Sequence, residues 1–255
     1  MVFNLENIIW QKDSRNLPQA YLNLKVPSVS SIIDQIPDPE LEAFIAAVGK
    51  TKVEQIMKSA GERGTATHTF IESYLLNLVT SKDPAEALKF TQEESPKLLI
   101  ANNIPEDKIK EGLDLFYKFY YSEFANQYSE IVRMEMGIYS PSLFYRGKLD
   151  MFYKHRIFNF AVADFKTMST PIKEASVKEY KMKLQIAAYV NALEEMYINK
   201  GLKIKYGSLI CINKKDDIVR EVVCAGQELE EKKQEFRNLC QNWHINKVTY
   251  LIKEL

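Results

Sequence analysis

Tyr145-Arg146-Gly147-Lys148-Leu149-Asp150 is followed, fourteen residues after Asp150, by Asp164-Phe165-Lys166. Two carboxylates and an ammonium group thus sit on neighbouring runs of strand-forming residues. Asp164 and Lys166 are two apart, so a strand sends both side chains to one face and Phe165 to the other. A hairpin that turns near His155 to Phe158 brings Asp150 close to Asp164. Carboxylates gathered at one end of a sheet repel one another unless something uses them, and a divalent cation is the usual user. An isolated Asp-x-Lys triplet also fits an ordinary solvated charge cluster, so the elements around it have to decide.

Periodicity and punctuation predict those elements. Residues up to Val26 read as irregular with a short hairpin. Pro27-Ser28-Val29-Ser30 has cap chemistry for a helix beginning near Ser30 and ending before Pro37, and Pro39 opens another that runs to Val48 before Gly49. Helical spacing continues from Val53 to about Thr80, with Gly61 and Gly64 expected to break it and a restart near Thr65. Asp83-Pro84 opens a short helix to about Phe90, and Pro105 to Tyr128 reads as a long one with Ile109, Leu113, Phe116, Phe119, Tyr120 and Phe124 inward. The period then changes to two. Ile131 to Tyr139, Tyr145 to Lys154 and Ile157 to Lys166 are expected to form an antiparallel meander. A helix from Glu174 or Val177 to Asn199, strands Ile204 to Asn213 and Ile218 to Cys224, and a closing helix Leu229 to Asn246 complete the chain. The order from Pro105 onward, α-β-β-β-α-β-β-α, defines an α/β class with a mixed central sheet flanked by helices.

A chain of 255 residues without repeats or Gly/Ser/Pro-rich linkers is read as one domain, with residues 1–104 as an N-terminal region and helical lobe and residues 105–255 as the core. No apolar run is long enough to cross a bilayer and the start lacks a signal-peptide core, so a soluble, cytoplasmic protein is expected, from a bacterium or a phage-infected host. Cys211, Cys224 and Cys240 stand far apart and are read as reduced and buried. Zero formal net charge argues against a passive nucleic-acid coat, while leaving room for a local basic groove. Lys173, Lys178, Lys181 and Lys183 fit such a groove or, interrupted by Glu174 and Glu179, a solvated helix face. Phe116, Tyr117, Phe119, Tyr120 and Tyr121 fit a helix core better than a base-stacking platform.

Together these motifs resemble the PD-(D/E)xK nuclease superfamily, and more narrowly its RecB-type exonuclease branch. That branch carries a glycine, histidine and glutamate on a helix before the core, here Gly64-Thr65-Ala66-Thr67-His68-Thr69-Phe70-Ile71-Glu72; then G-x-x-D, here Gly147 to Asp150; then D-x-K, here Asp164 to Lys166; then Q-x-x-x-Y, here Gln185-Ile186-Ala187-Ala188-Tyr189. Within the branch the chain is similar to the family of the mitochondrial genome maintenance exonuclease and its phage and bacterial relatives. Pro27-Ser28-Val29, Arg63-Gly64-Thr65, Tyr145-Arg146-Gly147 and Tyr206-Gly207-Ser208-Leu209-Ile210 ahead of Lys215-Asp216 carry that likeness. Some relatives hold an iron–sulfur cluster on four cysteines, a set that three scattered cysteines do not supply, so no iron–sulfur cluster is expected.

The resemblance implies a metal-dependent exonuclease on single-stranded DNA ends or flaps, releasing a 5′-phosphate and a 3′-hydroxyl, and a monomer with no membrane attachment. Asp150, Asp164 and the backbone carbonyl of Phe165 are hard oxygen donors for Mg²⁺ or Mn²⁺, with His68 as an imidazole ligand and Glu135 as a further carboxylate. Asp150, Asp164 and Lys166 are the expected catalytic residues, Lys166 orienting the nucleophile and stabilising charge on the phosphate oxygens. Glu72, one turn from His68, is expected to support it or to ligate the metal. Gln185 and Tyr189 are assigned to the scissile region, although Tyr189 also fits the core. Ser28, Ser30, Arg63 and Thr65 are candidate phosphate contacts, and helix capping explains the serines equally well.

Overall fold

In the computed structural model, residues 26–128 and 130–253 are described. The irregular segment expected before Val26 lies outside them. A short helix α1 (Val29–Ile33) is capped by Ser28, whose side chain accepts from Ser31 N. The second helix, α2 (Pro39–Val48), has Asp38 as its cap and Pro39 in its first turn. Then α3 (Lys50–Ser81) runs unbroken for 32 residues, correcting the expected interruption at Gly61 and Gly64. Glycine costs a helix about 1 kcal/mol each, and here that cost is offset by tertiary burial. Phe70, Ile71, Tyr74 and Leu75 of α3 are sealed against neighbouring helices.

The next helix, α4 (Pro84–Ala101), continues past the Phe90 predicted as its end and tolerates Pro96 in its interior. Its Ala87, Thr91, Ser95 and Leu99 are buried at helical spacing, a packing drive that periodicity understated across a polar stretch. By contrast α5 (Glu106–Tyr120) is shorter than the predicted helix to Tyr128, because the chain turns at Tyr121 and resumes as a 3₁₀ turn over Glu123–Asn126. Phe116 and Phe119 are fully buried, whereas Tyr121 is exposed.

Three strands follow, β1 (Ile131–Ser140), β2 (Tyr145–His155) and β3 (Asn159–Met168), and they form the predicted antiparallel meander. Helix α6 (Val177–Met196) crosses over to β4 (Tyr206–Asn213), which pairs with β3 in parallel. Strand β5 (Val219–Ala225) returns antiparallel, and α7 (Gly226–Lys253) closes the chain. The five strands lie in sequence order. Both sheet faces are covered. Helices α1, α6 and α7 pack on one, around Tyr145, Phe152, Ile186 and Phe236; α3 and α5 pack on the other, with α4 against those two helices, around Phe70, Phe116, Met151 and Phe165. The α/β class and the element order from α5 onward are those expected from the sequence.

Lys118 near the end of α5 ties that helix to the β4–β5 connection. Its Nζ donates to the carbonyls of Asn213, Lys214 and Asp216 at 3.1, 3.1 and 2.7 Å. Lys118→Met removes three donors from carbonyls that α5 shields, and is expected to cost about 1–2 kcal/mol. Equal urea midpoints for the variant and the parent would refute this bracing role.

Candidate active site

The site is assembled by four elements that meet at one end of the sheet. Strand β3 supplies Asp164 and Lys166; Phe165 between them turns the other way, edge-on to Phe119 of α5. From β2 comes Asp150, whose Oδ2 accepts a 2.7 Å hydrogen bond from Phe165 N across the hairpin. That bond fixes the Asp150 carboxylate beside Asp164. His68 arrives from α3, with Nδ1 3.4 Å from Asp150 Oδ2. The fourth contributor is Glu135 of β1, in ion-pair contact with Lys148 of β2.

Glu135 shows how the backbone serves the site. It has φ +50°, in the left-handed region that costs an L-residue roughly 1–2 kcal/mol. Strict alternation would send Met134 and Met136 to the same face. Instead Met134 packs toward the helical lobe and Met136 into the core on the other face. The left-handed residue breaks the alternation and turns Glu135 toward the cleft, as irregular strand residues at functional sites commonly do.

A cleft of about 470 Å³ opens between these elements, lined by Thr65, His68, Glu72, Glu135, Lys148, Asp150, Asp164, Lys166, Gln185 and Tyr189 among others. One side-chain ligand atom each from His68, Glu135 and Asp150 lie within 4.8 Å of one another. Asp164 completes the acidic surface. Its deeply buried Oδ2 ion-pairs with Lys166 Nζ at 2.5 Å. A buried carboxylate beside a second carboxylate and an imidazole is a donor set that fits a divalent cation.

The electrostatics agree. Burial, then the neighbouring Asp150 charge, push the Asp164 carboxyl up to about 6, and Lys166 only partly offsets them. For Asp150, burial opposes ionisation but His68, Lys166 and the Phe165 amide outweigh it and hold the carboxyl below its ordinary value. Desolvation works against a charged His68, and the two aspartates overcome it, raising its pKa. Lys166 is likewise desolvated, and the same aspartates keep it firmly protonated. Two buried carboxylates of unequal affinity for protons, held by cationic neighbours, form a site poised to exchange proton and side-chain cations for a metal.

The other predicted residues fall into three groups. Gln185 and Tyr189 of α6 line the cleft, the Gln185 amide donating to the Tyr189 hydroxyl. Tyr189 is also packed in the core, so the two readings of it coincide. Thr65 and Glu72 lie in the cleft wall on α3. Ser28 and Ser30 line an adjoining groove rather than the cleft, and Ser28 is the cap of α1. Arg63 does not line the cleft. It is 6% exposed and reaches Glu111 of α5 and Ser169 after β3 at 3.4 Å each, which makes it a brace between the lobe and the sheet. The Phe165 amide is committed to Asp150.

The lysines after the Asp-x-Lys motif are largely spoken for. Lys181 pairs with Asp38; Lys183 pairs with Glu179 and Glu228, and these three line a separate groove of about 690 Å³ beside β5. His155 accepts from Ile157 N and Phe158 N and so closes the β2–β3 turn. The three cysteines are free and buried. Two features were not anticipated: the left-handed backbone at Glu135, for which sequence offers no glycine or asparagine signal, and the Lys148–Glu135 pair.

A mixed sheet with a cation-ready carboxylate pair and a lysine at the hairpin beside it is the architecture of a hydrolytic nuclease. A family model of the PD-(D/E)XK nuclease superfamily matches residues 41–250, and the chain belongs to that superfamily. Its nucleases use divalent metals, and the fold implies a DNA substrate. Among solved structures, a candidate exonuclease from Eubacterium rectale is similar in fold, with a TM-score of 0.50 at 16% identity over 90% of this chain and 84% of that one. No curated protein matches the sequence. Among the described residues, no helix is long and apolar enough to cross a membrane.

Proposed function

We propose that the chain is a Mg²⁺- or Mn²⁺-dependent exonuclease that hydrolyses phosphodiester bonds at single-stranded DNA ends or flaps, within the RecB-type branch and near the mitochondrial genome maintenance exonuclease family. The observation that carries the hydrolytic reading is the convergence of His68, Glu135, Asp150, Asp164 and Lys166 on one cleft. The E. rectale candidate exonuclease, similar over most of both chains, supports the exonuclease reading. The single-strand preference rests on the four ordered motifs that the chain shares with the branch.

In this reading His68, Glu135, Asp150, Asp164 and the Phe165 carbonyl hold the cation, which when bound polarises a phosphodiester oxygen and lowers the pKa of water. The protein does the positioning. Lys166, protonated and 2.5 Å from Asp164, stands where it can orient a water and meet charge growing on the phosphate. Gln185 and Tyr189 border the scissile region from α6, and the Tyr189 hydroxyl stays protonated because burial and Asp164 raise its pKa well above the ordinary value. Glu72 supports His68 from one turn further along α3.

The test is cleavage of end-labelled linear single-stranded, duplex and circular single-stranded DNA in Mg²⁺, Mn²⁺ or EDTA. Metal-dependent loss of the linear single strand with the circle intact is the expected result. Cutting of the circle would replace the exonuclease with an endonuclease on the same site. No cutting of any substrate under any metal would overturn the catalytic reading.

A further inference from the structure

A second groove, of about 410 Å³, adjoins the catalytic cleft, and the two share Lys148 and Tyr189 in their walls. Its remaining wall includes Ser28, Ser30, Gly137 and Arg146. We propose that this groove is the path of the nucleic-acid strand leaving the scissile position, with Lys148 and Arg146 of β2 holding successive phosphates. The proposal deepens the nuclease reading above and rests on it.

Three observations carry the inference. Spacing is the first. Arg146 and Lys148 flank Gly147, and a Cβ on Gly147 would stand 3.1 Å from both Tyr189 Cε1 and Val29 Cγ2. Gly147 therefore lies against the Val29 and Tyr189 wall of the groove, where a side chain would crowd it, and the groove is lined on either side of it in sequence by Arg146 and Lys148. Their Cα atoms are roughly 6.7 Å apart, as any two alternate strand residues are, a step comparable to one nucleotide of an extended chain. Asp150, two residues beyond Lys148, lies in the catalytic cleft that the groove adjoins.

Availability is the second. Arg146 makes no ion pair among the described residues, whereas the lysines of α6 just described are paired with carboxylates. Its backbone is pinned, its N–H donating to Pro27 O at 3.0 Å, so the side chain projects from a fixed point. An arginine held this way suits the planar, two-oxygen recognition of phosphate.

The third is the Lys148–Glu135 pair. Lys148 is 59% exposed at the mouth of the cleft and neutralises Glu135, one of the three candidate ligands grouped with His68 and Asp150. A carboxylate engaged by a cation in the cleft no longer needs the lysine. Lys148 is then released to the strand, so that substrate contact is coupled to metal occupancy through one side chain.

The test is binding, read by fluorescence anisotropy of a labelled single-stranded oligothymidylate in Ca²⁺ or EDTA, with gel analysis to show that it stays intact. Arg146→Ala is expected to weaken binding about tenfold in both conditions, the scale of one charge-assisted hydrogen bond. It should also reduce the log–log salt slope by about 0.7, the value for one lost phosphate on a single strand. Lys148→Ala should produce the same loss in Ca²⁺ but little in EDTA, where Glu135 retains the lysine. Lys97→Ala, on α4 and outside both grooves, should change neither quantity. Parental affinity in Arg146→Ala, or an equal loss in Lys97→Ala, would overturn the path while leaving the nuclease reading intact if the parent still cleaves. Equal losses for Lys148→Ala with and without Ca²⁺ would overturn the coupling. A parent that neither binds nor cuts DNA would end both proposals.

Discussion

Asp164→Asn is expected to lower DNA cleavage by about 10³-fold or more while leaving the metal-free protein at least as stable as the parent at neutral pH. The rate loss follows from removing an anionic oxygen that, in the proposed reading, holds the cation and positions Lys166, where a single oriented group is worth about 10²–10³ and a metal ligand more. Stability follows from linkage. The Asp164 carboxyl titrates at about 6 in the folded chain against an ordinary 3.8. Between those values the folded state binds the extra proton, so stability falls as pH rises through that window and the cost is complete above it. This upward shift already includes the attraction of Lys166. Asparagine never ionises, so the melting temperature of the variant relative to the parent should rise from pH 4 to pH 7 in EDTA. Added Mg²⁺ should stabilise the parent by binding only the folded state, and the variant much less. Cleavage at the parental rate, with contaminating nuclease excluded, would sink the assignment of the site; a pH-independent difference in melting temperature would sink the electrostatic account.

Gly112→Val tests how the packing of α3 on α5 positions the site. A Cβ at Gly112 of α5 would lie 2.5 Å from Ala66 Cβ and 3.0 Å from the Thr67 backbone nitrogen of α3. Neither is the end of a flexible side chain, so the two helices must move apart. Overpacking of this kind costs about 1–3 kcal/mol, and a β-branched residue adds its own resistance within a helix. The consequence reaches function because Thr67 directly precedes His68, which stands 3.4 Å from Asp150. Valine should therefore lower stability by about 3 kcal/mol in urea and, in the protein that remains folded, weaken Mn²⁺ binding measured by calorimetry. Gly112→Ala should show both effects in smaller measure. Loss of stability with Mn²⁺ affinity unchanged would mean that α3 does not set the reach of His68.

Some of this molecule can be read residue by residue. Alternation along β3 places Asp164 and Lys166 together and Phe165 opposite, because the side-chain period of a strand is set within three residues. The turn at His155 to Phe158 and the pairing of Met151 with Ala163 follow from the same short-range pattern, and they bring Asp150 to Asp164. The α-β-β-β-α-β-β-α order is likewise written in the change of hydrophobic period from helix to strand. Helix ends were less legible. Gly61, Gly64 and Pro96 signal breaks locally, yet α3 and α4 run through them because burial against other helices outweighs a cost of roughly 1–3 kcal/mol per residue. Arg63 beside Gly64 reads as a candidate phosphate contact, but its guanidinium is buried against Glu111, 48 residues away. Glu135 carries no sequence mark of a left-handed residue, and only the packing of Met134 and Met136 on opposite faces shows why it must be one. Short-range residue order dictates which chemical groups stand on the hairpin. The tertiary structure decided which of them His68, Glu135 and Lys148 would meet, since those encounters depend on helix crossings and strand irregularities that no local period encodes.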